Sequence, residues 1–298
     1  MSSVLVLKSD GASVRLLPHA GGRVSSLRLM SSALGVVDVL HPYPEDVFDP
    51  IHWAKGGIYP LMPYSNRIAD AKVRVDGEVV SLLAHPGAVP HTLHGNAHAQ
   101  SWITTASSES TATIELQSAA SPAWPWRYRA TQSFELTRSK LNIRLVLCNT
   151  DSRVMPAGMG LHPYFRHQTD ALLTYAARTL WPATPEFLAY SSRPLTDHER
   201  YEQPRCLPAG GMTDYVGGWA GTLALGLPDG ARIQMQADTV FNHLVVHRPD
   251  SAAYLCLEPV SHVANGFNLA AQGVAHTGSH WLQPSEYLTG DISFTLLD

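Results

Sequence analysis

The sequence predicts an all-β protein, a large antiparallel β-sandwich with very little helix. Three observations carry this. Alternating apolar and polar runs recur along the chain, Asp-Gly turns punctuate them, and no segment keeps a helical apolar stripe over three turns. Many short strands joined by turns imply a sandwich or barrel. At 298 residues, one large two-sheet sandwich fits better than two small ones. No shift in composition marks a linker, so one domain over residues 1–298 is expected.

The elements follow in order. Met1 to Lys8 holds a short apolar run that reads as a first strand. It has no basic leader and no cleavage-site pattern, so a signal peptide is not expected. Lys72 to Val80 alternates around Asp76-Gly77, a strong hairpin signal. Leu223–Leu227 and Ala231–Met235 repeat the design around Pro228-Asp229-Gly230. Ala130–Leu136 and Leu141–Leu147 alternate about a turn at Thr137-Arg138-Ser139-Lys140. Thr111–Leu116 and Ser293–Leu297 are further strands. Residues 41–67 and 84–101 are rich in Pro, Gly, His and aromatics, with weak regular pattern. Loops of that length inside a compact domain are usually functional.

Composition excludes several classes. Hydrophobic residues make up 45% of the chain and charged residues 15%, which allows a large core and argues against disorder. The net charge is −4 with no basic block, so no electrostatic footprint for nucleic acid exists. No run approaches the 18 or so apolar residues of a membrane helix. Cys148, Cys206 and Cys256 are odd in number and lack paired spacing, which fits a reducing compartment, expected to be the cytoplasm. The expected partner is a small molecule, with the chain a monomer or homodimer.

Two stretches carry the chemistry. Gly158-Met159-Gly160-Leu161-His162-Pro163-Tyr164-Phe165 and Leu257-Glu258-Pro259-Val260-Ser261-His262 each place a proton-transfer residue beside a proline, at the expected end of an apolar run. A carboxylate closing a mostly buried strand is costly without partners. An imidazole and a carboxylate, each fixed at an element end, are the parts of a general acid/base pair. Taken alone, His162 reads more simply as a satisfied core histidine and Glu258 as a surface ion-pair residue.

The 15 histidines raise the question of a metal. His91, His94 and His98 are spaced by three and four, but Pro90 precedes them and Gly95 interrupts them. No zinc-protease signature or cysteine pair occurs, so no metal is expected. His94-Gly95-Asn96 reads as a loop presenting an imidazole. No G-x-S-x-G elbow, P-loop or dinucleotide glycine pattern is present. A glycosidase pairing Glu258 with Asp214 stays open on residue types, though it leaves His162 and His94 without a role. Arg67 sits in a polar-poor loop and must find acceptors. Asp214 lies among glycines in Gly210–Trp219, where the backbone can approach a ligand and Trp219 can offer a flat face; a simple turn is equally consistent.

Together, these segments resemble the aldose 1-epimerase (galactose mutarotase) family. The matching pieces are Asn66-Arg67-Ile68, Thr92-Leu93-His94-Gly95, Gly160-Leu161-His162-Pro163-Tyr164-Phe165, the glycine-flanked Asp214 and Glu258-Pro259, in the family's order. The Leu257–His262 segment and the short loops look like a bacterial branch of sugar epimerase homologues. The resemblance implies an antiparallel β-sandwich that interconverts the α and β anomers of an aldose, without metal, nucleotide or other cofactor. On that basis Glu258 is the general base and His162 the general acid. Arg67, His94 and Asp214 position the sugar, with Asn66 and Tyr164 beside them. Asp214 fits the family pattern only with a one-residue slip. Glu258 is expected ionised near neutral pH, with Glu258 and Asp214 raising the pKa of His162.

The substrate stays open between a neutral aldose and an anionic one, phosphorylated or sulfonated, for which Arg23, Arg28 and Arg166 are available cations. A non-catalytic carbohydrate-binding protein on the same fold is a further reading, against which stands the presence of both His162 and Glu258.

Overall fold

The computed structural model describes residues 4–46 and 48–298. Two large antiparallel sheets form a β-sandwich. One has eleven strands, the other nine. The single α-helix among the described residues is Gly266–Ala271. No helix among them is long and apolar enough to cross a membrane.

The predicted hairpins form. Lys72–Val75 pairs with Glu78–Ser81 across Asp76-Gly77, and both turn residues take left-handed φ. Thr222–Gly226 pairs with Arg232–Ala237, and Tyr128–Leu136 with Lys140–Asn149. The first strand is Leu5–Ser9; Met1, Ser2 and Ser3 of the predicted run lie outside the described residues.

The nine-stranded sheet runs from Ile103–Ser107 through Lys140–Asn149 and Tyr287–Leu297 to Tyr201–Cys206. Its alternation is clean: Leu141, Ile143, Leu145 and Leu147 are all fully buried. These face the other sheet across one continuous apolar layer, in which Phe165 and Phe294 meet at 6.0 Å between ring centres. Each such fully buried side chain contributes roughly 1.5–3 kcal/mol.

The eleven-stranded sheet carries the site. Its central strands are Arg23–Ser31, Ile58–Leu61, Gly160–Arg166, Tyr254–Val260, His243–Arg248 and Met212–Gly217, in that spatial order. Two expectations are corrected here. Ile58–Leu61 falls in a predicted loop but is a central strand. Pro60 is tolerated because pairing toward Arg23–Ser31 is limited to Val24 opposite Ile58, so no ladder donor is needed at residue 60. His162 and Glu258 were expected at element ends, but both lie inside strands.

Candidate active site

The prolines beside His162 and Glu258 explain how the two side chains meet. Gly160 pairs with Val260 and Tyr164 with Cys256, so the register sets His162 opposite Glu258. No ladder pairs form between those two points. Pro163 and Pro259 have no N–H to give, so the strands face each other there through side chains.

The row continues across the sheet. Tyr59 stands opposite His162, Val245 opposite Glu258, Tyr215 opposite Val245 and Trp181 opposite Tyr215. All but Trp181 line one cleft of about 270 Å³, walled also by Trp53, Lys55, Asn66, Arg67, His94 and Tyr164. That is near the lower end for small-molecule sites.

His162 Nε2 lies 3.2 Å from Glu258 Oε1, and their side chains are only 7% and 3% exposed. The distance would suit an ion pair, but burial opposes both charges. It pushes Glu258 up to about 8. It holds His162 well below its ordinary 6.5, helped by the charges of His247, Lys55 and Arg23. At neutral pH burial therefore favours the neutral form of the unliganded pair over the ionic one. This reverses the expected ionisation: desolvation outweighs the neighbouring carboxylate.

The imidazole lies nearly parallel to two tyrosine rings. It stacks on Tyr59 at 4.7 Å and on Tyr164 at 4.6 Å, with ring planes within 24° and 18°. Arg23 lies over Tyr59 at 4.6 Å, fully buried, and no nitrogen of its guanidinium has a hydrogen-bond partner among the described residues.

Histidines also build the loop beside the pair. His94 Nδ1 accepts from the Asn66 N–H, His91 Nδ1 from Asp70 and His262 Nε2 from Ser65. These three of the 15 histidines thus serve as acceptors for backbone N–H groups. Accepting at Nδ1 fixes the His94 proton on Nε2. Burial and the neighbouring His162 keep the ring neutral, so it is a donor. His94 and Asn66 both take left-handed φ, and at Gly95, also left-handed, an added Cβ would sit 2.2 Å from the Met62 carbonyl oxygen. The turn therefore requires glycine there.

Arg67 lines the cleft with its guanidinium 4.6 Å over Phe187. Asn66 Oδ1 accepts from the Arg67 N–H and lies 3.5 Å from the Tyr215 hydroxyl. Of the predicted site residues, Glu258, His162, Arg67, His94, Asn66 and Tyr164 thus share one cleft.

Asp214 does not join them. Met212–Gly217 is a strand, and alternation sends Thr213 and Tyr215 to the cleft and Asp214 to the other face, opposite Val246 of the main core. There burial raises its pKa, with Glu199 adding to the rise. Trp219 offers no ligand face either: it is core, and its Nε1–H donates to the Thr222 carbonyl. Sequence reasoning missed Lys55, Phe187, Thr213, Tyr215 and His247. For Thr213 and Tyr215, strand alternation was the available signal.

His162, Cys256 and Glu258 bring donor atoms within 4.8 Å of one another. A metal would need the thiolate and the carboxylate. Burial opposes both, raising Cys256 well above its ordinary value as it raises Glu258. The set suits proton transfer better.

The comparisons speak to the fold and the family. A protein of Escherichia coli K12, YphB, is 24% identical over 244 residues, covering 79% of this chain and 82% of its own. The structure of a candidate aldose 1-epimerase from E. coli K12 superposes with a TM-score of 0.85 at 21% identity over 99% of both chains. A galactose mutarotase-like protein of Clostridium acetobutylicum gives 0.84 at 16% identity, over 99% of this chain and 95% of its own. At those identities the structures speak to the fold alone. The family model for aldose 1-epimerase matches residues 3–295, and the chain belongs to the aldose 1-epimerase family.

Proposed function

We propose that the protein is an aldose 1-epimerase, interconverting the α and β anomers of an aldose. The observation that carries this is the buried, cross-strand His162–Glu258 pair at 3.2 Å on the floor of a cleft. Ring opening needs a base at the C1 hydroxyl and an acid at the ring oxygen. The Glu258 carboxylate takes the C1 proton, the His162 imidazolium gives one to the ring oxygen, and the bond from C1 to that oxygen breaks. The aldehyde turns about its C1–C2 bond, and reverse transfers close the ring on the other face. Opening moves the pair from its ionic to its neutral form, and closing moves it back. Each positioned transfer is worth roughly 10²–10⁴ in rate.

The other residues orient the sugar. His94 Nε2–H donates into the cleft, and Arg67 supplies planar donors. Glu258 is the single carboxylate lining the cleft among the described residues, which leaves a two-carboxylate glycosidase without its second acid. The test is anomer exchange by NMR across a panel of aldoses. Accelerated exchange of at least one supports the reading. Binding without exchange turns it to a carbohydrate-binding protein.

A further inference from the structure

Building on the epimerase reading, we propose that the preferred substrate is an anionic aldose, its phosphate or sulfonate group held by Lys55 and Arg67. The cleft reverses the sign of the chain around it. The whole protein carries −4, yet Lys55 and Arg67 both line the cleft, and Glu258 is the single acid that does so among the described residues.

Neither cation has a carboxylate within ion-pair distance among the described residues. Each is steadied by an aromatic face instead: Lys55 Nζ lies 4.7 Å over Trp53, and the Arg67 guanidinium 4.6 Å over Phe187. Cations held this way keep their charge free for a ligand. The arginines expected to serve an anion are elsewhere. Arg28 pairs with Asp38 and Arg166 with Asp229, while Arg23 is buried behind Tyr59.

The two cations also converge. Both bear electrostatically on His85, His94 and His247, and neither is among the influences on Glu258. Lys55 also bears on His162 and Cys256, whose donor atoms lie within 4.8 Å of Glu258, so its charge is felt at the pair as well. An anionic group on the sugar that reaches both side chains meets two cations that have no carboxylate partner of their own. A solvated lysine at the rim without such a group would be ordinary; a second unpaired cation on the same cleft is what distinguishes this site. Cation-lined clefts also speed capture of anions in a salt-dependent way.

The test compares kcat/KM for anomer exchange of a neutral hexose, its 6-phosphate and its 6-sulfonate, in wild type and Lys55→Gln. At least one anionic sugar should exceed the neutral one by about tenfold or more, with the excess shrinking at high salt. Lys55→Gln, a rim change that should not disturb folding, should cut that ratio by about tenfold. The arm that leads tells phosphate from sulfonate. Exchange of the neutral sugar with no anionic preference, or a ratio unmoved by Lys55→Gln, overturns the inference and leaves the epimerase reading standing. Lys55-dependent binding of an anionic sugar, with no exchange of any aldose, supports the subsite and overturns the epimerase reading instead.

Discussion

His162 and Glu258 face each other at 3.2 Å across neighbouring strands, at the point where two prolines interrupt the ladder, and burial favours the neutral form of the pair. On the proposed mechanism the pair works with one proton held between two groups.

The pH profile follows from the two shifts. Glu258 is raised to about 8, so the single shared proton is lost as pH rises through that value. His162 is lowered below 6.5, so a second proton is gained only in acid. kcat/KM should be bell-shaped, with its basic limb near 8 and its acid limb below 6.5. Initial-rate anomer exchange between pH 4 and pH 10 (on the order of ten points) measures it. A profile whose only limb lies near the ordinary glutamate value would contradict the assigned shifts.

Arg23 should tune the acid limb. Its charge sits over the ring that stacks on His162, and like charge disfavours the imidazolium. Arg23→Met removes that charge and an unpaired buried cation together, so folding should hold. The acid limb should move up by about one pH unit, while Arg23→Lys should hold it lower. An acid limb that stays put in Arg23→Met would make the residue a packing element only.

Arg67→Ala should raise KM several-fold and lower kcat where orientation is lost. The side chain lines the cleft and has no ion-pair partner holding it elsewhere among the described residues. Unchanged steady-state constants on the best substrate would show that it does not touch the sugar.

Exhaustive chelation should leave the rate unchanged, because the proposed chemistry needs proton transfer alone. Activity lost on chelation and restored by one divalent ion would assign the His162–Cys256–Glu258 donors to a metal.

Much of this was legible in the sequence, for physical reasons. Asp76-Gly77 and Asp229-Gly230 announce their hairpins because the turn needs residues tolerant of positive φ. The motif residues around His162, His94 and Glu258 identify the cleft because their chemistry is specific. Ile58–Leu61 was not legible, since Pro60 usually excludes a strand and only the truncated pairing beside it makes room. Asp214 was misplaced because its glycine-rich surroundings read as a loop, whereas pairing with Val246 fixes it on the core face. The ionisation of the pair depends on burial depth, and no local pattern encodes that Glu258 is almost wholly buried. Lys55 carried no signal beyond its neighbour Trp53, because its role depends on the absence of nearby carboxylates in three dimensions.

The most direct measurement is anomer exchange by NMR in Glu258→Gln, His162→Asn and the double variant, with sugar binding followed separately. Each single change keeps a polar group of similar reach, so folding and binding should survive. Each should lower kcat by at least about 10²-fold, and the double variant should be little worse than the worse single one, because the two residues act as a unit. Exchange at the wild-type rate in Glu258→Gln would contradict the account at its centre.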